Sequence, residues 1–149
     1  MRRISIFAGS VYGNAQHVAE EALSMFEGKG IEAEVFSDPE TSDFADADAV
    51  VVITSTTGQG DVPPNLEMFY SDLRTEFPLM NNKPFAVAAL GDSSYGDSFC
   101  GGGRQFQELL LELQGKPVAD MLEVDAIETL AAEDDVVPWL EGLASKLAD

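Results

Sequence analysis

Apolar residues gather along the chain in two alternating forms. Short, nearly continuous runs occupy residues 3–8, Ile31 to Phe36, Ala47 to Thr54, Phe85 to Leu90 and Val118 to Val124, the pattern of strands covered on both faces. Between them the apolar positions recur at three- and four-residue spacing. Ala15, Val18, Ala19, Ala22, Leu23 and Phe26 form one such set, and Leu66, Phe69, Tyr70 and Leu73 a second. Phe106, Leu109, Leu110 and Leu113 form a third, and Val136, Val137, Leu140, Leu143 and Leu147 the last. Each set predicts a helix with one apolar stripe. Punctuation agrees: Gly28 and Gly30 stop the first helix, Pro63-Pro64 opens the second and Asp134-Asp135 the last. The polar stretch from Ser37 to Asp43 reads as a connection with little order of its own.

Strands alternating with helices predict an α/β fold, a doubly wound five-stranded parallel sheet with helices on both faces. Of the two common strand orders, 2-1-3-4-5 opens a ligand crevice beyond the carboxyl ends of strands 1 and 3. The loops leaving strands 1, 3 and 4 are the irregular ones. They are Gly9-Ser10-Val11-Tyr12-Gly13-Asn14-Ala15, then Ser55-Thr56-Thr57-Gly58-Gln59-Gly60-Asp61, then the segment from Gly91-Asp92-Ser93-Ser94-Tyr95 to Gly101-Gly102-Gly103. In this order all three meet at one crevice. No repeat, low-complexity tract or linker divides the chain, so residues 1–149 are expected to form one domain.

Composition narrows the chemistry. At 149 residues, 45% hydrophobic and 23% charged, the chain can bury a core without staples and has no apolar run near the ~20 residues of a membrane span. The start, Met1-Arg2-Arg3-Ile4, runs straight into the strand pattern without a signal peptide, so a cytoplasmic protein is expected. One cysteine, Cys100, excludes an internal disulfide, and one histidine, His17, excludes most histidine-based zinc chemistry. The net charge of -19, from 27 acidic and 8 basic residues, repels nucleic acid and anionic membranes and attracts basic partners. An anionic ligand must be held against that field by local dipoles.

Several motifs fail. Gly9 and Gly13 without a following lysine do not make a P-loop, and the Gly-x-Gly-x-x-Gly order of a dinucleotide fingerprint is missing. Cys100 and Arg104 stand too close for a cysteine phosphatase loop, and Cys100 reads as a small buried residue. His17 belongs to no apolar face and reads as solvated. No base neighbours Ser10, Ser93 or Ser94 in sequence. The first loop offers instead the hydroxyl and amide groups of Ser10, Tyr12 and Asn14 and the N–H groups of residues 11 to 15. By itself it fits either a helix cap or a phosphate site. Tyr95, on the third loop, would sit where an aromatic ring can stack on a planar heterocycle.

These loops resemble the flavodoxin family over nearly the full chain, three motifs standing in the family's order and spacing. Gly91-Asp92-Ser93-Ser94-Tyr95 with Phe99-Cys100-Gly101 is the most specific, followed by Ser55 to Asp61. The length is similar to the short-chain class, and the affinities lie with its bacterial YqcA/MioC-like branch. The resemblance implies non-covalent FMN in a low-potential one-electron carrier cycling between semiquinone and hydroquinone. It implies that Ser10, Val11, Tyr12, Gly13, Asn14 and Ala15 wrap the phosphate. Thr56, Thr57, Gly58, Gln59, Gly60 and Asp61 would line one side of the isoalloxazine, and Leu90, Gly91, Asp92, Tyr95, Phe99 and Cys100 the other. Tyr95 matches the stacking tyrosine, and Gly58 the glycine whose peptide turns toward flavin N5, one orientation of which needs a positive φ.

Three positions depart from the family. Tyr12 and Ala15 stand where threonine is frequent, and Thr57 where many members carry a second aromatic; a lost stacking pair is worth about 0.5–1.5 kcal/mol. No catalytic residue and no metal is expected. The implied partners are basic-surfaced, an NAD(P)H-dependent flavodoxin reductase and an electron acceptor, serving a monomer. The alternatives are an FMN-dependent NAD(P)H:quinone or azo reductase, and a signalling receiver domain. A receiver domain would need acidic residues after strand 1, an aspartate ending strand 3 and a lysine after strand 5, where this chain has Ala8-Gly9-Ser10, Thr54-Ser55-Thr56 and Val124-Asp125-Ala126.

Overall fold

Continuously apolar segments become the centre of a parallel sheet. The computed structural model describes residues 2–10, 13–57 and 60–149, with the backbone alone at Tyr95, Asp97 and Ser98. Strands β1 (Ile4–Gly9), β2 (Ala33–Phe36), β3 (Ala49–Thr54) and β4 (Pro84–Gly91) pair in the order β2-β1-β3-β4. The fifth position is shared by β5 (Lys116–Pro117) and β6 (Leu122–Asp125), both parallel to β4. The predicted order 2-1-3-4-5 is therefore observed, but the single fifth strand expected over Val118 to Val124 is broken. The Val118 N–H still donates to the Phe85 carbonyl at 3.0 Å. The ladder then lapses until Leu122, beside Pro117, which has no N–H to contribute and belongs to a sheet edge.

Alternation along each strand sends its side chains to two cores. Ile4, Ile6, Val51, Ile53, Ala88 and Leu90 pack against α1 (Asn14–Gly28) and α5 (Glu133–Ala148). Phe7, Val50, Val52, Phe85 and Val87 face α2 (Thr41–Ala45), α3 (Pro64–Glu76) and α4 (Gly101–Glu112). The second core has an aromatic spine, with ring centroids of Phe7 and Phe36 5.4 Å apart, Phe7 and Phe69 5.1 Å, and Phe69 and Phe106 6.3 Å. Each such pair adds about 0.5–1.5 kcal/mol beyond its buried area.

Two polar segments are more ordered than their composition predicts. The connection from Ser37 to Asp43 leads into α2, because the Glu40 N–H donates to Asp43 Oδ2 at 2.9 Å, one arm of a capping box, and Phe44 is buried. The triplet Gly101-Gly102-Gly103 belongs to the first turn of α4 rather than to a loop, and a short 3-10 helix spans Ser93–Ser98. Strand β2 starts two residues later than expected, at Ala33.

Candidate functional site

β1 lies between β2 and β3, so the chain leaves β1 in one direction across the sheet and returns in the other. That is the switch point beside which doubly wound sheets bind ligands. Beyond it Gly13, at φ 83°, takes a left-handed conformation that a Cβ would penalise, and α1 begins at once. The first helical bond runs from the His17 N–H to the Gly13 carbonyl at 2.9 Å. No described side chain caps α1, and its first turn holds no acidic residue. The early N–H groups and the positive dipole end thus face the turn.

Asn65, in the first turn of α3, holds this turn in place. Its Oδ1 accepts from the Ser10 N–H at 3.0 Å, and its Nδ2 donates to the carbonyls of Ala8 and Ser37, both at 2.9 Å. Ser55 donates through its N–H and hydroxyl to the Gly9 carbonyl, at 2.8 and 3.1 Å, joining the first loop to the second. Thr57 and Asp61 exchange backbone bonds of 3.0 and 2.8 Å and close the second loop into a hairpin.

That hairpin is fastened to α4. The Gly102 N–H donates to Thr56 Oγ1 at 3.0 Å, and Gln105 Nε2 donates to the Gly60 carbonyl at 2.7 Å. A Cβ on Gly101 would stand 2.7 Å from both Cα and O of Gly60, so glycine is needed for the two backbones to meet. On the far side Asp125 Oδ1 accepts from the N–H groups of Ser93 at 3.1 Å and Ile127 at 3.0 Å. A hydrogen bond with the Ser93 side chain, followed by the bond from the Ile127 N–H, lowers the Asp125 carboxyl below its ordinary value.

The three loops are thus brought together. Ser10, Gly13, Asn14, Thr56, Thr57, Gly60, Asp61, Gly91, Asp92 and Phe99 keep surface at this edge. Ala15, Leu90 and Cys100 are buried, so their side chains belong to the core and only their backbone groups can meet a ligand. The Cys100 thiol is directed to the Ala89 carbonyl, at 3.5 Å, and burial pushes it up to about 12, as suits a packing residue. Val11, Tyr12, Gly58 and Gln59 lie outside the described residues, as do the ring of Tyr95 and the side chain of Asp97. His17 is exposed, its Nε2 3.8 Å from a Glu133 carboxylate oxygen and 3.9 Å from one of Glu21.

Charge separates along the strands. Arg2, Arg3, Lys29, Arg74, Lys83, Lys116 and Lys146 stand at the amino edge of the sheet, before strands or at helix ends. Arg104 alone lies toward the carboxyl edge, paired with Glu123 at 3.2 Å. A phosphate at the α1 terminus would therefore be held by N–H groups and the helix dipole, which fits the donors present. Among the described residues no cluster of histidine, cysteine, aspartate and glutamate suits a metal, and no helix is long and apolar enough to cross a membrane.

A doubly wound parallel sheet of order 2-1-3-4-5, with three loops meeting beside its switch point, is the architecture of a flavodoxin-like domain. The flavodoxin family profile matches residues 6–139. Flavodoxin YqcA of Escherichia coli K12 is 43% identical over 143 residues, covering 95% of each chain. Protein MioC of the same strain is 30% identical over 140 residues, 94% of this chain and 95% of its own. A cysteine-to-serine mutant of flavodoxin from Pseudomonas aeruginosa superposes with a TM-score of 0.93 at 40% identity, over 99% of both chains. The chain belongs to the flavodoxin family, and its cofactor and role are those of that family, FMN and electron transfer rather than catalysis.

Sequence reasoning passed over Asn65, Gln105 and Asp125. Each binds backbone groups of segments folded against it, and only the position of Asn65, just after a helix-opening Pro63-Pro64 pair, hinted at a role.

Proposed function

We propose that the FMN phosphate lies against the N-terminal turn of α1 and that the isoalloxazine lies between the loops after β3 and β4. The observation that carries this is the α1 terminus itself, uncapped among the described residues and free of carboxylates in its first turn, in a chain of net charge -19. Ser10, Gly13, Asn14 and Ala15 would hold the phosphate, with Val11 and Tyr12 of the same turn; each charge-assisted bond contributes about 1.5–3 kcal/mol. Thr56, Thr57, Gly60 and Asp61, with Gly58 and Gln59, would line one side of the ring. The backbones of Leu90, Gly91, Asp92 and Cys100 would line the other, with Phe99 and Tyr95.

Bound there, FMN supplies two successive one-electron steps, and the protein sets their potentials and presents the edge of the ring. Asp61 and Asp92, with Asp97 in the same loop, disfavour added negative charge on the ring and keep the second couple low. The same carboxylates favour basic partners, an NAD(P)H-dependent reductase and an acceptor protein, in a monomeric cytoplasmic carrier. Reconstitution of purified protein with FMN tests this reading. Visible flavin bands that persist through gel filtration support it, and a colourless protein defeats it.

A further inference from the structure

The connection between β6 and α5 carries an apolar tip that the fold does not use. In a chain with so acidic a surface, Leu130 is 100% exposed and Ile127 60%. The tip is built rather than loose. The Ala126 N–H donates to the Gly91 carbonyl at 2.8 Å, and the N–H groups of Glu128 and Thr129 donate to the Asp125 carbonyl at 3.0 and 2.9 Å. Thr129 Oγ1 donates to Asp135 Oδ2 at 2.7 Å, pinning the tip to the start of α5. Asp125, which also binds the Ser93 N–H, makes the tip continuous with the loop after β4. Its surroundings are acidic, with Asp92, Asp125 and Glu128 beside it and Glu133, Asp134 and Asp135 just beyond.

We propose that Ile127 and Leu130 are the apolar centre of the docking face for the redox partner, a protein whose electron-transfer edge is an apolar patch rimmed by lysine and arginine. The inference rests on the electron-carrier reading above. Exposed leucine and isoleucine held in fixed backbone geometry lose little conformational freedom on docking, and burying them supplies short-range attraction that charge steering alone lacks. The acidic rim selects the sign of the partner. It also argues against a second copy of this chain, because two faces of the same negative charge would meet. Interfaces concentrate their energy in such a centre and leave rim charges to govern encounter.

Cytochrome c, a basic protein whose haem edge is ringed by lysines, serves as the probe. The FMN-loaded protein and an Ile127→Ser/Leu130→Ser variant would be compared for binding to immobilised ferric cytochrome c. They would then be compared, after reduction, for the rate at which one electron passes from the protein to the ferric haem. The expected result is roughly tenfold weaker binding and slower transfer in the variant, the same dependence on ionic strength, since no charge changes, and an unaltered rate with ferricyanide, which needs no docking face. Binding and transfer within twofold of the parent protein would overturn the proposal, as would a parent dimer in sedimentation equilibrium that the substitutions dissolve. Failure of the parent protein to retain FMN would defeat the electron-carrier reading instead, and is seen before any partner is added.

Discussion

Helices α1 and α5 both start at the carboxyl edge of the sheet, and they treat the same dipole in opposite ways. α5 fills its first turn with Glu133, Asp134 and Asp135, and Asp135 is further fixed by Thr129. α1 starts from a left-handed glycine with no carboxylate in its first turn and no side-chain cap among the described residues. A helix that serves only stability completes itself with its own acids, each worth about 0.3–1 kcal/mol. One that omits them where acids are abundant leaves its terminus open, as the proposed phosphate site requires. With the phosphate placed as proposed, stability and binding would fall to two helices lying on the same face of the sheet.

The strongest way to break this contrast is to spoil the cradle without touching either helix start. Gly101→Ala would place a Cβ 2.7 Å from the Gly60 backbone. It should destabilise the protein by about 1–3 kcal/mol in urea unfolding, and weaken FMN more than tenfold in a fluorescence titration by displacing the second loop.

Asn65→Ala comes next. It removes the three bonds by which Asn65 ties β1 and the turn after it to α3 and to the Ser37 carbonyl, and a loss of about 1–3 kcal/mol in stability is expected, with weaker FMN binding. The contrast itself is sharpened by exchanging the two termini. Asn14→Asp should raise the melting temperature of the apoprotein slightly and weaken FMN about tenfold, whereas Asp134→Asn should lower that temperature and leave FMN affinity unchanged. The same sign of change in both would mean that α1 is not reserved.

The smallest effect concerns pH. Asp125 titrates below its unfolded value, so its contribution is complete above the ordinary carboxylate pKa near 3.9 and lost as pH falls through the depressed one. Asp125→Asn should flatten the acid limb of a stability-against-pH curve and leave neutral pH nearly unaffected.

The sheet, the four long helices and the switch point were legible in the sequence because periodicity reports burial directly, and burial decides most of this fold. The short α2 was not, since a single buried phenylalanine, Phe44, and a Glu40–Asp43 capping pair carry it within a polar run. The break between β5 and β6 escaped because an edge strand can lapse while its residues stay apolar. At the site, the loops were legible through glycine and hydroxyl content, but the residues that lock them were not. Asn65, Gln105 and Asp125 bind the backbone of Ser10, Gly60 and Ser93, which stand 55, 45 and 32 residues away, and no local pattern records such pairings. Burial also limits how three of the proposed site residues, Ala15, Leu90 and Cys100, can take part, leaving them only their backbone.

Comparing FMN with riboflavin tests the central claim most directly, because the two differ only in the phosphate assigned to α1. Quenching of flavin fluorescence on titration of the apoprotein gives both values of Kd. FMN should bind at least a hundredfold tighter than riboflavin, and Asn14→Asp should narrow that ratio. Equal affinities for the two flavins would contradict the claim.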